Sequence, residues 1–242
     1  MGKNQYLLLW LEGPLQSWGE HSRFSRRETL DFPTKSGVYG LILCALGLPG
    51  AQVELLQRMS NFKLNVFGYK KQNQDLSSDF LLRDFHMIGS GYDISDPWEK
   101  YLSPKTSEEK NPVGGGTKLT YRFYIQNMAF ACILEIPSDF ELDIKAAFEN
   151  PKWPLFLGRK CCVPADIICR GVYDDYSHAL SRADEIAGSK RRIKSIEVFE
   201  GINEEYDNGD IMTLNDVPLQ FGQFKKYKER NVTVHRMPQN SV

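Results

Sequence analysis

Apolar positions along this chain alternate between two spacings, and the switches mark its elements. Tyr6 to Leu11 is a near-continuous apolar run, the pattern of a central strand buried on both faces. From Thr34 to Leu46 the spacing becomes helical, with Val38, Leu41, Ile42 and Ala45 on one face, and Gly47-Leu48-Pro49-Gly50 ends the helix. Gly37, Gly40 and Cys44 form a small-residue stripe beside that face. Each internal glycine costs about 1 kcal/mol against alanine, so two of them predict another backbone close to this helix. Gln52 to Met59 reads as a short second helix. Phe62, Leu64, Val66 and Tyr69 lie in the next strand, and Phe80 to Met87 is another. From Ile88 to Lys118 apolar anchors become sparse and Gly and Pro punctuate a polar stretch, so a long functional or disordered loop is expected there. Leu119 to Ile136 resumes as strand, Asp139 to Phe148 is a helix with acids in its first turn, and Ile167 to Tyr173 is a further strand.

This order approximates the split βαβ, or ferredoxin-like, βαββαβ arrangement of an α+β protein with an inserted arm. The predicted organisation is a main domain over residues 1–173, interrupted at about 88–118, and a small β-rich C-terminal subdomain over 174–242. Composition is consistent with a packed core: 242 residues, 41% apolar and 12% aromatic. The longest apolar run, Val38 to Leu48, is shorter than the ~20 residues a membrane helix needs, and no signal pattern opens the chain, so a cytoplasmic location and no membrane partner are expected. Five cysteines without a C-x-x-C pair and four scattered histidines predict free thiols, no metal site and no cofactor.

The net charge of −1 argues against a protein coated in nucleic acid, but the charge is unevenly spread. Lys225, Lys226, Lys228, Arg230 and Arg236 gather near the C-terminus, and Lys190, Arg191, Arg192 and Lys194 form a second knot. Such segregation suits either a local anionic ligand or an ordinary solvated surface. The stretch from Leu11 to Gly47 sharpens the first choice. A strand ends at Gly13-Pro14, a loop carries Arg23, Arg26 and Arg27, and Pro33-Thr34-Lys35-Ser36-Gly37 opens the helix. Guanidinium groups beside a helix N-terminus can grip an anion.

The turn Gly13-Pro14-Leu15-Gln16-Ser17-Trp18-Gly19, the Arg27-x-Thr29 element and Pro33-Thr34-Lys35-Ser36-Gly37-Val38-x-Gly40-Leu41 resemble the N-terminal signature of the CRISPR-associated CasD family. That family supplies a subunit of type I-E Cascade surveillance complexes and belongs to the RAMP superfamily. Leu82-Arg83-Asp84-Phe85-His86 and Phe156-Leu157-Gly158-Arg159-Lys160-Cys161 match as well; beyond Asp174 the resemblance is weak. It implies a ferredoxin-like domain related to the RNA-recognition motif, with the insertion as a projecting thumb. It also implies a non-catalytic, RNA-binding subunit of a ribonucleoprotein complex for antiviral defence. Such a subunit holds the 5′ handle of the CRISPR RNA (crRNA), docks against the large subunit and the backbone subunits, and meets target DNA indirectly through the complex. In the related type I-C branch the equivalent protein is itself an endoribonuclease, and that is the alternative function. Its nuclease set includes adjacent Lys and His, and this chain has no Lys-His dipeptide.

Candidate RNA contacts follow. Thr34, Lys35, Ser36 and Gly37 offer hydroxyls, charge and backbone access at the helix start, or simply a capped helix. Arg23, Arg26 and Arg27 are phosphate clamps or partners of Glu20, Glu28 and Asp31. Trp18 and Tyr39 stack bases or pack in the core, with core favoured for Trp18. Arg83 and His86 lie at the root of the insertion, where each is a base contact or a structural pair. Gly158, Arg159 and Lys160 read as a glycine-bearing cationic loop or a plain hairpin. Tyr92, Trp98 and Tyr101 are the thumb's candidate anchors for a protein partner.

Overall fold

The apolar run at the start of the chain becomes the strand around which the sheet is built. A computed structural model describes residues 4–19, 25–72, 81–88, 118–202 and 209–237. Strand β1 (Gln5–Glu12) is paired on both edges, and Leu7 to Leu11 are fully buried. Because side chains alternate along a strand, Leu7, Leu9 and Leu11 enter one core while Leu8 and Trp10 enter another on the opposite face. No helix among the described residues is long and apolar enough to cross a membrane, and all five cysteines are free thiols.

Two short strands follow, β2 (Leu15–Gln16) and β3 (Arg26–Arg27), then helices α1 (Lys35–Leu46) and α2 (Val53–Met59) and strand β4 (Leu64–Lys71). Next come β5 (Leu81–Ile88), β6 (Lys118–Gln126), β7 (Ala129–Ile136), α3 (Glu141–Glu149) and β8 (Cys169–Tyr173). The chain continues through α4 (Tyr176–Ser189), β9 (Arg192–Glu200), β10 (Asp210–Gln220) and β11 (Lys226–Arg236). The result is a mixed α/β protein, rich in antiparallel strands. Seven strands form one sheet in the order β10-β11-β9-β4-β7-β1-β8, and β2, β6 and β3 form a small second sheet with β5 paired to β6. Helices α1 and α3 pack together over one face of the large sheet, and α4 covers the other.

Most expected elements are present, with four differences. The run from Leu119 to Ile136 is two strands rather than one. Asn127 takes a left-handed backbone (φ 56°) and donates its N–H to the Pro14 carbonyl at 3.1 Å, so β6 turns away from the large sheet. Residues after Asp174 open with an unforeseen helix, α4. Asp175 caps it by accepting the Ser177 N–H at 2.8 Å, and its buried stripe is Ala179, Ala183, Ile186 and Ala187. That stripe is mostly alanine, which gives a faint hydrophobic signal. The C-terminal strands, expected as a small separate subdomain, instead extend the main sheet, because β9 pairs antiparallel with β4 from Val66↔Val198 to Lys71↔Arg192. Finally, the close neighbour of Gly37 is a side chain: a Cβ there would lie 2.8 Å from Cε3 of Trp18, whereas a Cβ at Gly40 would meet nothing within 4 Å.

Candidate nucleic-acid interface

The start of α1 is a capped helix whose positive end already holds a carboxylate. Thr34 has extended backbone (φ −81°, ψ 154°), and its Oγ1 accepts the Gly37 N–H at 3.1 Å. The Lys35 N–H donates to Oδ2 of Asp216 on β10 at 2.7 Å. The Lys35 side chain, expected to bring charge to a ligand, is wholly buried. Its Nζ lies 2.7 Å from Oε1 of Glu200 and donates to the Ser60 carbonyl at 3.2 Å. Arg230 completes the cluster. It grips Asp216 through Nε (2.7 Å) and Nη2 (2.9 Å) and reaches Oε2 of Glu200 through Nη1 (3.0 Å). Two cations and two anions cancel, so this buried set ties α1 to β9, β10 and β11 and leaves no free charge. Burial pulls the Lys35 ammonium below its ordinary pKa, and Glu200 opposes that pull.

Positive charge at the surface comes from other residues. A cleft of about 470 Å³ opens at the start of α1, lined by Arg27, Arg122 and Arg159, by Thr34, Ser36 and Gly37 of the helix start, and by Phe221 and Tyr227. Arg27 and Arg122 are register partners in the parallel pairing of β3 with β6. Asp84 is the register partner of Arg122 across the other edge of β6, but its ion pair is with His86, and among the described residues neither arginine forms a salt bridge within 4 Å. Like charges facing one another across strands are unfavourable, and an anion between them would relieve the repulsion. Arg159 is held flat, its guanidinium 4.7 Å from the Tyr124 ring centre, and donates to the carbonyls of Arg27 (2.8 Å) and Phe123 (3.2 Å). It therefore both braces the cleft wall and contributes charge to it.

The sequence pieces that looked like one signature meet here. The Trp18 ring, 1% exposed, fills the space left by the missing side chain of Gly37. Its backbone N–H donates to Thr29 Oγ1 at 2.7 Å, and its carbonyl accepts from the Leu30 N–H at 2.8 Å. The Leu157-Gly158-Arg159 loop lies against Ser17, whose N–H donates to the Leu157 carbonyl at 3.0 Å. Gly158 has φ +96°, and a Cβ there would fall 1.7 Å from the Ser17 carbonyl oxygen. Only glycine fits, since the strain is both conformational and steric.

Other candidates lie apart from the cleft. Arg26 is exposed, paired with Glu28 at 2.7 Å and stacked over Phe123 at 5.1 Å. Tyr39 is buried in the core and donates its hydroxyl to the Met59 carbonyl at 2.6 Å, so it packs rather than stacking a base. Lys160 is exposed beside the loop. Arg83 lies over Tyr121, and His86 Nδ1 is 3.6 Å from Asp84, both on the β5–β6 hairpin. One face of that hairpin carries exposed Phe85, Met87, Leu119 and Tyr121, in the pairs Phe85↔Tyr121 and Met87↔Leu119. Arg23, Tyr92, Trp98 and Tyr101 lie outside the described residues. The sequence reading missed Arg122 and Tyr227. Arg122 sits in the strand Leu119-Thr120-Tyr121-Arg122-Phe123, where strand alternation carries no signal of a ligand, and Tyr227 lies inside the C-terminal basic run, where only the cations stand out.

Comparison with known proteins gives consistent matches. The family described as CRISPR-associated protein (Cas_Cas5) matches residues 6–233. The CRISPR system Cascade subunit CasD of Escherichia coli (strain K12) is 28% identical over 163 residues, covering 65% of this chain and 66% of that protein, slightly under two thirds of its length. A chain from a solved CRISPR RNA-guided surveillance complex superposes with a TM-score of 0.67 at 26% identity, covering 96% of this chain and 89% of that one. A crystal structure of a Cas protein superposes with a TM-score of 0.58 at 22% identity, which speaks to fold alone.

Proposed function

The chain belongs to the CRISPR-associated Cas5 family, and from that premise we propose that it is a non-catalytic RNA-binding subunit of a type I-E Cascade complex. In this reading the arginine cleft holds the 5′ handle of the CRISPR RNA. The observation that carries it is the cleft itself, where Arg27, Arg122 and Arg159 face the hydroxyl-bearing start of α1. Guanidinium groups match phosphate geometry, and Thr34 and Ser36 suit phosphate oxygens or 2′-hydroxyls of a single strand.

The strand order supports the ferredoxin-like reading. Chain order β1-α1-β4-β7-α3-β8 with spatial order β8-β1-β7-β4 fits the 4-1-3-2 antiparallel layout expected of a βαββαβ unit. The β5–β6 hairpin leaves between its second and third strands, where a thumb would project. Its exposed apolar face suits docking to a protein neighbour, consistent with a subunit that bridges the large subunit to the backbone subunits. The type I-C nuclease set includes adjacent Lys and His, and this sequence has no Lys-His dipeptide, which supports the non-catalytic role over the endoribonuclease of that branch.

The test is binding of a handle-bearing RNA to the purified chain in EDTA. The expected result is intact RNA bound with a strong salt dependence. Arg27→Ala with Arg122→Ala should flatten the slope of log K against log salt by about 1.4, roughly 0.7 for each lost single-strand phosphate contact. Cleaved RNA would overturn the non-catalytic role, and an unchanged slope would remove the cleft as the binding site.

A further inference from the structure

A second, more enclosed cavity of about 210 Å³ opens beside the arginine cleft. Gly19, Thr34, Ser36 and Tyr227 line both spaces, so the two adjoin. Its volume is below the ~300–1,000 Å³ of drug-sized sites and suits one ring system rather than a whole nucleotide. Its walls are mixed: Leu30 and Leu214 supply apolar surface, Tyr227 an aromatic ring, and Asn215 and Ser36 polar groups. Asp216 also borders the cavity, but its carboxylate is already engaged. Arg230 takes both oxygens, and the Lys35 N–H shares Oδ2.

We propose that this side pocket takes one unpaired base of the bound RNA, which turns in past Tyr227 while its phosphate rests on the arginine wall. The proposal rests on the RNA-binding reading above and adds a base-selecting subsite to it. Tyr227 is partly exposed at the boundary between the two cavities, a suitable position for a stacking platform. The exposed Asn215 amide carries a donor and an acceptor side by side, the arrangement that pairs bidentately with a base edge. Neutralisation of Asp216 by Arg230 matters here, because a bare carboxylate would repel the acceptor-rich edge of a base and the phosphate behind it. A side chain from a protein neighbour is the competing occupant. Continuity with the three-arginine wall favours the base, since a nucleotide satisfies both spaces at once.

The test is an abasic scan. Handle-bearing RNAs, each with one abasic nucleotide, are titrated against the wild-type chain and the Tyr227→Ala, Tyr227→Phe and Asn215→Ala variants, with thermal melts confirming that each is folded. One position should lose roughly five-fold to 150-fold in affinity when its base is removed, the range of a single base–aromatic stack. Tyr227→Ala should lose a similar factor on intact RNA and nothing further on that abasic RNA, with its salt slope unchanged, while Tyr227→Phe should retain most of the affinity. Asn215→Ala should narrow the preference among the four bases at that position. A flat scan with wild-type RNA binding intact would overturn the pocket alone, and so would a Tyr227→Ala penalty that adds fully to every abasic penalty. If the wild-type chain binds none of these RNAs, the RNA-binding reading fails and takes the pocket with it.

Discussion

Lys35 is the residue on which the sequence and the structure part most sharply, and replacing it by methionine tests the difference. Its Nζ is fully buried and lies 2.7 Å from Glu200, which is itself 15% exposed. Removing one partner of a buried pair costs about 3–5 kcal/mol, because the other charge is left without compensation. Here Glu200 keeps Arg230 at 3.0 Å and the Leu64 N–H at 2.8 Å, so the lower end of that range, about 3 kcal/mol, is expected. For a domain of this size each kcal/mol shifts the melting temperature by about 2–4 °C, giving a drop of roughly 6–12 °C. Thermal unfolding followed by circular dichroism measures it. Adding Glu200→Gln to Lys35→Met should recover part of the loss, since the stranded charge is then gone. RNA affinity in the folded protein should keep the wild-type salt slope. If Lys35→Met melts like wild type and its slope falls by about 0.7, Lys35 contacts a phosphate and the buried-cluster argument is refuted.

Three further outcomes follow from other sites. Gly158→Ala should destabilise the protein and abolish RNA binding, because the added Cβ falls 1.7 Å from the Ser17 carbonyl at a backbone φ of +96°; a melt within 1 °C of wild type would contradict the close packing of that loop. Gly40→Ala should stabilise the isolated chain by about 1 kcal/mol, since the site is open and the helix gains propensity, and chemical denaturation would show whether the midpoint rises. Burial alone would raise the Glu12 carboxyl, but hydrogen bonds from Trp10, Lys190 and Arg192 outweigh it and hold the pKa below the usual value of 4.5. A lowered folded-state pKa means stability present above that value and lost as pH falls through the folded pKa. Glu12→Gln should therefore destabilise the protein near neutrality and reduce the acid sensitivity of its stability below pH 4.5, read from denaturation midpoints across that range.

How much of this was legible in the sequence varies with the kind of signal. Apolar periodicity located β1 and α1 to within a residue or so, because neither carries a fully exposed residue. Helix α4 escaped because three of the four residues in its buried stripe, Ala179, Ala183 and Ala187, are too small to stand out against their charged neighbours and Ile186 alone gives no periodicity. The break at Asn127 escaped because a single left-handed residue interrupts an otherwise continuous β pattern. At the site, Arg27, Thr34, Ser36, Gly37, Gly158 and Arg159 were picked out and do meet in one cleft. Lys35 was picked out too, but nothing local reveals that its partner is Glu200, 165 positions away. Arg122 and Tyr227 depend in the same way on pairings that join distant strands.

Those distant pairings give the C-terminal strands a role beyond enlarging the sheet. Asp216 on β10 holds the first N–H of α1, Arg230 on β11 holds Asp216, and Tyr227 on β11 lines the same cleft as the three arginines. The N-terminal signature and the glycine loop therefore line most of the cleft, Arg122 joins them from β6, and Phe221 and Tyr227 are the C-terminal contribution. Those two residues come from the part of the chain whose sequence resembles the CasD family least. Phosphate gripping needs only cations, which β3, β6 and one loop supply, whereas selecting a base needs a shaped wall. On the RNA-binding proposal, a family member that keeps the arginines and varies the C-terminal residues would retain its hold on an RNA backbone while changing which base it accepts. On that argument, exchanging residues 209–237 between family members should move base preference at the abasic-sensitive position and leave the salt slope, set by Arg27, Arg122 and Arg159, where it was.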